Sequence, residues 1–182
     1  MELETRRLLL RPLRSDDAPA IALGANNLNV SRNLTRVKFP YSITDAREFL
    51  ALARGFDPRT NICAITFKCA PDELIGIIGY EIMATGEFDF GYWLRECCWH
   101  MRIMTEAATA MVSYAFEVDH LDGLNAGFHT DNPNSGRILR NLGFIESGVI
   151  KEKCLSQGKP VDCMRLQLAQ QAWFAQKESR AA

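Results

Sequence analysis

The sequence lacks several features that would assign the protein to a specialised class. No apolar run approaches the roughly 20 residues of a membrane-spanning helix. The opening segment MELETRRLLLRPLR has three consecutive leucines among charged residues, unlike a signal or transit peptide. The 21 lysine and arginine residues are balanced by 22 aspartate and glutamate residues, so little net charge draws the chain to nucleic acid or anionic lipid. We therefore expect neither a nucleic-acid nor a membrane partner.

The sequence also lacks the spacing of a metal or disulfide protein. Its six cysteines form no CxxC pair and lie mostly in apolar segments. Such cysteines are more typical of reduced thiols in a cytoplasmic protein than of disulfides or zinc ligands. The histidines His100, His120 and His129 are not spaced like a metal cluster. The sequence thus predicts a cytoplasmic protein with no metal.

What the chain contains is an ordinary globular composition. It has 182 residues, of which 47% are hydrophobic and 24% are charged, enough to enclose one substantial core. No repeat, low-complexity tract or linker divides it. Residues 1–182 are therefore predicted to form a single α+β domain.

Period-two and helical patterns alternate along the chain. Strands are predicted over residues 5–13, 61–67, 73–82, 87–94, 124–130, 145–153 and 161–168. Helices are predicted over residues 15–24, 44–54, 103–117, 133–142 and from 169 onward. A strand, a helix and a strand over residues 87–130 imply a right-handed crossover that joins two parallel strands within an otherwise antiparallel sheet.

Six segments in this order carry a resemblance to a known family: RLLLRPL, ELIGIIGY, FGYWL, TEAATAMVSYAFE, DNPNSGRILRNLGF and GKPVDCMRLQL. They resemble the GNAT superfamily of N-acetyltransferases, and most of all the branch of the ribosomal-protein N-terminal acetyltransferases RimJ and RimL. The resemblance implies a mostly antiparallel sheet of about seven strands, with a central splayed parallel pair and helices on both faces. It also implies transfer of an acetyl group from acetyl-CoA to a primary amine by direct attack.

The resemblance places acetyl-CoA in the gap between the two parallel strands. The pantetheine arm is expected to bond to backbone near the end of the first strand, and the next helix is expected to point free N–H groups at the pyrophosphate. Asn132 would hold the pantetheine end. The residues assigned to acetyl-CoA are Trp93, Leu94, Arg95, His100, Arg102, Ile103, Met104, Thr105 and Asn132.

The expected pyrophosphate loop lacks its glycines. Family members carry a Gln/Arg-x-x-Gly-x-Gly/Ala pattern, and alignment on Thr105 puts Arg102 and Met104 at its glycine and Gly/Ala positions, while His100 replaces another glycine. Glycine permits positive φ and lets a phosphate approach an amide. Three alternatives stay open: a working cradle in which Arg102 contacts phosphate, a weakened or absent acetyl-CoA site as in a catalytically silent binding or sensor protein, and a site for a different anionic acyl donor or a nucleotide.

The reaction needs a base, because a primary amine is mostly protonated at neutral pH. Asp89 is the first candidate for proton handling. Glu152 is the second, since RimL-like relatives place a working glutamate close by, although exact alignment puts Cys154 there. Leu139 replaces the tyrosine with which many GNATs protonate the departing thiolate, so the resemblance assigns that role to Ser135.

Each candidate also fits an ordinary structural role. Asp89 fits a solvated strand carboxylate, Asn132 and Ser135 fit the cap and first turn of a helix, and Tyr92 and Trp93 fit core aromatics. The acceptor stays open between a small molecule and a protein N-terminus. A homodimer through the final strands or tail is a further expectation.

Overall fold

The structure is a computed structural model that describes residues 1–53, 55 and 57–181. The strands are β1 (Leu3–Glu4), β2 (Leu8–Pro12), β3 (Asn61–Phe67), β4 (Gly76–Ile82), β5 (Phe88–Leu94), β6 (Gly123–His129), β7 (Ile145–Cys154) and β8 (Lys159–Ala169). The α-helices are α1 (Ala18–Ala25), α2 (Leu28–Ser31), α3 (Ile43–Ala53), α4 (Ile103–Glu117), α5 (Pro133–Leu142) and α6 (Gln170–Ala181). Among the described residues, no helix combines the length and the apolar character needed to cross a bilayer.

The predicted α+β class and mostly antiparallel sheet are confirmed. The sheet has eight strands in the order β1-β2-β3-β4-β5-β6-β8-β7, rather than about seven. The additional strand, β1, has two residues, and α2 has four, which is too short for either to show a period in sequence. Arg54, Phe56 and Ala182 lie outside the described residues, and the assignment of 1–182 to one domain stays a prediction.

The two central strands run parallel and separate, as predicted. β5 and β6, joined through α4, pair only at Asp89 with Asn125 and at Phe90 with Ala126. Beyond those pairs, β5 continues along β4 as far as Leu94, whereas β6 continues along β8 as far as His129. The sheet therefore opens into a gap on the C-terminal side of Phe90.

Helices cover both faces of the sheet, so that prediction is also confirmed. α4 and α5 pack on one face, where Met111 and Phe116 are fully buried. α1 and α3 pack on the other face and form a smaller cluster that includes Ile21 and Leu50. Because the gap passes between these layers, it can be reached from either side of the sheet.

The edge strand β7 exposes apolar side chains. Ile145, Val149 and Ile150 are 70%, 53% and 46% exposed. An edge strand also carries unpaired backbone groups that can pair with another chain. The expected homodimer stays a prediction.

Candidate functional site

The gap between β5 and β6 continues into a cleft of about 1660 Å³. Pockets for single small ligands usually measure about 300–1,000 Å³, so this cleft has room for a long ligand and a second molecule. We call the part formed by Tyr92–Thr105 and Asn132–Leu139 the loop half. The part around Asp89, Glu152 and Arg165, on the α1–α3 face, is the charged half.

The loop that precedes α4 has the backbone shape that glycines would supply. His100 and Arg102 have φ of 62° and 57°, in the left-handed region. A non-glycine residue there costs on the order of 1 kcal/mol. The expected glycine positions are thus filled by larger residues, while the conformation typical of glycine is kept.

A carboxylate on α4 holds this loop in place. Glu106 accepts hydrogen bonds from Thr5 Oγ1 at 2.6 Å and from Arg7 Nε at 2.7 Å. Arg7 also donates from Nη2 to the Met101 carbonyl, at 3.0 Å, within the loop itself. Burial acts to raise the pKa of Glu106, but the bonds from Thr5 and Arg7 outweigh it and hold that pKa below its ordinary value. These contacts offset the strain of the left-handed residues.

The first turn of α4 presents free donors to the cleft. The N–H groups of Ile103, Met104 and Thr105 have no intrahelical acceptor, and no side chain caps the helix. Arg102 is exposed, and among the described residues its guanidinium makes no ion pair. Free N–H groups, a helix N-terminus and a cation together suit a bound diphosphate.

The end of β5 offers backbone groups to the gap. Arg95 N–H donates to the carbonyl of Ile75, the residue before β4, at 2.8 Å. Because successive residues of a strand point to alternate neighbours, the backbone of Trp93 also faces β4, and Tyr92 and Leu94 face the gap. The Leu94 carbonyl accepts from Trp99 Nε1 at 2.9 Å. The sequence located this stretch but did not resolve the alternation.

Two residues predicted to bind acetyl-CoA, Trp93 and Arg95, have side chains that lie away from the gap. The Trp93 ring packs against Gly24 of α1, where an added Cβ would lie 2.5 Å from the ring. Arg95 pairs with Glu73 at 3.2 Å. The Trp93 side chain therefore supports α1, and the Arg95 side chain is held by an ion pair outside the gap.

The start of α5 reaches the gap from the opposite side. Asn132 Oδ1 accepts from the Ser135 N–H at 3.3 Å, which is the predicted capping role. Ser135 Oγ lies 2.9 Å from the Tyr92 hydroxyl oxygen. Burial raises the pKa of Tyr92, partly offset by the bond to Ser135, so the phenol stays neutral. Sequence reasoning placed Tyr92 on the strand without connecting it to Ser135.

The charged half joins three strands through one guanidinium. Arg165 of β8 forms an ion pair with Asp89 of β5, and its Nη1 lies 3.9 Å from Glu152 Oε1 on β7. Gly127 leaves room for this guanidinium, since a Cβ there would lie 2.8 Å from Arg165 Nη1. Burial raises the pKa of Asp89 above its ordinary value, and Arg165 counteracts part of that rise. Glu152 Oε2 also accepts from Thr35 Oγ1 at 3.0 Å.

The segment 32–35 forms one wall of the charged half and is held by contacts with β6, β7 and the turn after β7. His129 Nδ1 donates to the Arg32 carbonyl at 3.0 Å, and Leu155 N–H donates to the Thr35 carbonyl at 3.1 Å. Cys154 is fully buried, with Sγ 3.7 Å from the Arg32 carbonyl. Glu152 lines the cleft, whereas Cys154 lies behind it.

Sequence reasoning missed three side chains of the site: Tyr92 as a partner of Ser135, Arg165 and Thr35. Arg165 lies on the same face of β8 as Cys163, two residues earlier, but only the sheet register brings it beside Asp89. Thr35 lies in a stretch with no periodic signal. Among the described residues, no group of three or more His, Cys, Asp or Glu side chains is placed to hold a metal ion.

A parallel pair that separates beside a helix N-terminus, with a cleft that continues the gap, defines the class of coenzyme A-dependent N-acyltransferases. Comparison with protein families narrows this class to one family. The sequence model of the GNAT acetyltransferase domain matches residues 7–145, and the chain belongs to this family.

Relatives support the family and the predicted branch. The uncharacterized N-acetyltransferase YoaA of Bacillus subtilis is 30% identical over 167 residues, which cover 88% of this chain and 92% of YoaA. The ribosomal protein uS5 alanine N-acetyltransferase of Escherichia coli is 29% identical over 108 residues, covering 57% of this chain and 56% of that enzyme. The structure of RimL, a ribosomal alpha-N-protein acetyltransferase in complex with coenzyme A, superposes with a TM-score of 0.76 at 20% identity, covering 93% of this chain and 98% of RimL. At that identity the RimL likeness shows the fold.

These comparisons confirm the resemblance to RimJ and RimL and the prediction of an N-acetyltransferase. The family uses acetyl-CoA as donor. They give no support to the catalytically silent alternative.

Proposed function

We propose that the protein acetylates the amino group at the start of a peptide or protein chain, with acetyl-CoA as donor. Relatives whose names state ribosomal-protein acetylation support this class of acceptor. The cleft supports it too, because about 1660 Å³ is open on both faces of the sheet. The observation that carries the proposal is the gap beyond Phe90, which ends at the free N–H groups of α4.

The loop half fits the donor. Bound acetyl-CoA supplies an acetyl group activated as a thioester. Tyr92 and Leu94 would bond to its pantetheine arm through backbone, with Trp93 and Arg95 flanking them and Asn132 at its far end. The residues that would hold the pyrophosphate are His100, Arg102, Ile103, Met104 and Thr105. Of the three alternatives for this loop, the working cradle has the support of the left-handed backbone at His100 and Arg102.

The charged half fits proton removal from the amine. We assign this to Glu152 and Asp89, which line the cleft next to each other across Arg165. Thr35 holds Glu152, and burial makes Asp89 more basic than an ordinary aspartate. Arg165 keeps both carboxylates in the cleft and offsets their mutual repulsion.

The loop half also fits stabilisation of the leaving thiolate by a hydrogen bond, which we assign to Ser135. Ser135 lies in the first turn of α5, at the gap, and its hydroxyl is held by Tyr92. A hydroxyl at this place can donate to the sulfur as negative charge develops there.

A cytoplasmic location is part of the proposal. It is supported by the cysteines, since all six are free thiols.

The proposal is tested with the purified chain, acetyl-CoA and a short peptide whose first residue is alanine. Mass spectrometry should show one acetyl group added at the free amino terminus, and no addition when that terminus is blocked. Calorimetric titration should show binding of acetyl-CoA but not of ATP. Acetylation of spermidine with none of the peptide would overturn the acceptor assignment, and absence of acetyl-CoA binding would overturn the donor site.

A further inference from the structure

A pair of hydroxyl groups joins the two arms of the gap in the loop half. Tyr92 lies on β5 and Ser135 at the start of α5, 43 residues apart in the chain. The Tyr92 hydroxyl oxygen is 2.9 Å from Ser135 Oγ and 3.2 Å from the Ser135 carbonyl oxygen. Both side chains line the cleft. The contact therefore lies where the donor is proposed to bind.

The tyrosine has one proton and two nearby acceptors. When Tyr92 donates to Ser135 Oγ, the serine proton remains available to a group in the cleft. When Tyr92 instead donates to the Ser135 carbonyl, the serine hydroxyl can donate back to Tyr92 and its proton turns away from the cleft. A negatively charged sulfur in the cleft favours the first arrangement, because charge-assisted hydrogen bonds are stronger than neutral ones.

We propose that Tyr92 is a positioning residue, which accepts no proton and loses none but turns the Ser135 hydroxyl toward the leaving sulfur. This inference rests on the proposed role of Ser135. The serine hydroxyl donates a hydrogen bond to the thiolate, and the tyrosine hydroxyl donates one to the serine oxygen, so each hydroxyl keeps its own proton. No bond to Tyr92 forms or breaks.

The surroundings of Tyr92 suit a fixed, neutral donor. Its ring packs edge-on against Phe90, with centroids 5.6 Å apart and planes at 61°, and Phe90 stacks on Phe144 at 6.0 Å. On the other side, Ser135 is held by its N–H bond to Asn132. The tyrosine ring and the serine backbone are thus both held, so the direction of the hydroxyl protons is the main variable.

The test measures the pKa of the thiol of coenzyme A bound to the protein, followed by the ultraviolet absorbance of the thiolate. Wild type is expected to lower this pKa by about one unit relative to free coenzyme A, as a hydrogen bond to an ionised sulfur would. Tyr92→Phe and Ser135→Ala should each remove most of that shift. The double variant should remove no more than Ser135→Ala alone, because the two hydroxyls act as one unit.

Kinetics with the alanine-initiated peptide give a second measurement. Tyr92→Phe should lower kcat about tenfold and leave KM for acetyl-CoA within about twofold of wild type. Tyr114→Phe is the matched control, since it removes a tyrosine hydroxyl on α4 that interacts with Asp119 outside the cleft. It should behave as wild type in both measurements.

The outcomes separate the inference from the function it rests on. If Ser135→Ala abolishes the lowering of the thiol pKa and Tyr92→Phe retains it, Ser135 acts without Tyr92 and the inference is wrong. If neither variant changes the shift, the role of Ser135 is wrong and the inference with it, even where acetyl transfer persists. Equal losses in thermal stability and in coenzyme A affinity, with an unchanged thiol pKa, would show that the contact is only structural.

Discussion

The loop half and the charged half of the cleft obtain their geometry in different ways. In the loop half, the groups that face the gap are mainly backbone: the free N–H groups of α4 and the end of β5. In the charged half they are side chains from β5, β7 and β8, set by the ion pair of Asp89 with Arg165 and by Glu152 nearby. The first half depends on conformation, and the second depends on residue identity.

This difference explains how the loop tolerates the loss of its glycines. Arg102 and His100 adopt the left-handed backbone at a cost of about 1 kcal/mol each. The contacts of Glu106 with Thr5 and Arg7 hold the same loop from outside. A change of residue type can therefore leave a backbone site in place, whereas the chemistry proposed for the charged half depends on its carboxylates.

The largest effect is expected in the charged half, for Glu152→Gln. The substitution keeps the size of the side chain and removes the carboxylate that we assign to proton removal. Peptide acetylation should fall about a hundredfold in kcat, because general base catalysis contributes 10² or more. Acetyl-CoA affinity, measured by calorimetry, should stay unchanged.

Glu146→Gln on the same strand is the matched control. Glu146 pairs with Arg140 on the surface, so its loss should leave kcat within about twofold of wild type. Full activity in Glu152→Gln would contradict the role of Glu152 and indicate Asp89 as the general base.

In the loop half, Arg102→Ala keeps the strained backbone and removes the guanidinium. If Arg102 contacts the pyrophosphate, acetyl-CoA should bind about 1.5–3 kcal/mol more weakly, as expected for a hydrogen bond to a charged group. Calorimetry measures the change directly. Arg102→Gly should weaken binding to a similar extent, since glycine restores the family residue but no cation.

The exposed Arg6, replaced by alanine, serves as the control for overall charge. Tighter binding in Arg102→Gly than in wild type would show that the side chain obstructs the phosphate, and would reverse the proposed role of Arg102.

The same contrast marks what could be predicted from sequence. Long elements such as β3 and α4 follow from periodic patterns, and the gap follows from the order strand, helix, strand. The loop position was predicted as well, because it depends on its place before α4. Arg165 and Thr35 could not be predicted as neighbours of Asp89 and Glu152, since their contacts depend on the register of distant strands and on a loop without a period.

A smaller effect is expected for Glu106→Gln, which weakens the support of the loop. The change removes the charge from the bonds to Thr5 and Arg7 and should destabilise the fold by about 1 kcal/mol at neutral pH. Because the folded-state pKa of Glu106 is lowered, its contribution is present above the unfolded value of about 4.3 and is lost as pH falls through the folded value.

Urea unfolding at neutral and acidic pH measures this contribution. The wild-type and Glu106→Gln curves should converge in acid. Glu117→Gln at the other end of α4, which breaks a surface pair with Lys177, should show little change at either pH. A constant difference at both pH values would mean that packing, and not charge, accounts for the loss.

The smallest expected effect is a shift in pH dependence for Arg165→Gln. The cation lowers the pKa of Asp89, which burial raises, so its removal should raise that pKa further. A base must be deprotonated, so the acidic limb of kcat/KM should move to higher pH.

Stability should change with pH in a matching direction. An aspartate with a raised folded pKa favours folding below its unfolded value of about 3.9, and this contribution is lost as pH rises through the folded value. Arg165→Gln should therefore lose more stability than wild type between acidic and neutral pH, whereas Arg14→Gln, which breaks an exposed pair with Asp72, should follow wild type. If the acidic limb does not move in Arg165→Gln, the titration of Asp89 does not control the rate. Glu152 would then be left as the carboxylate that deprotonates the amine.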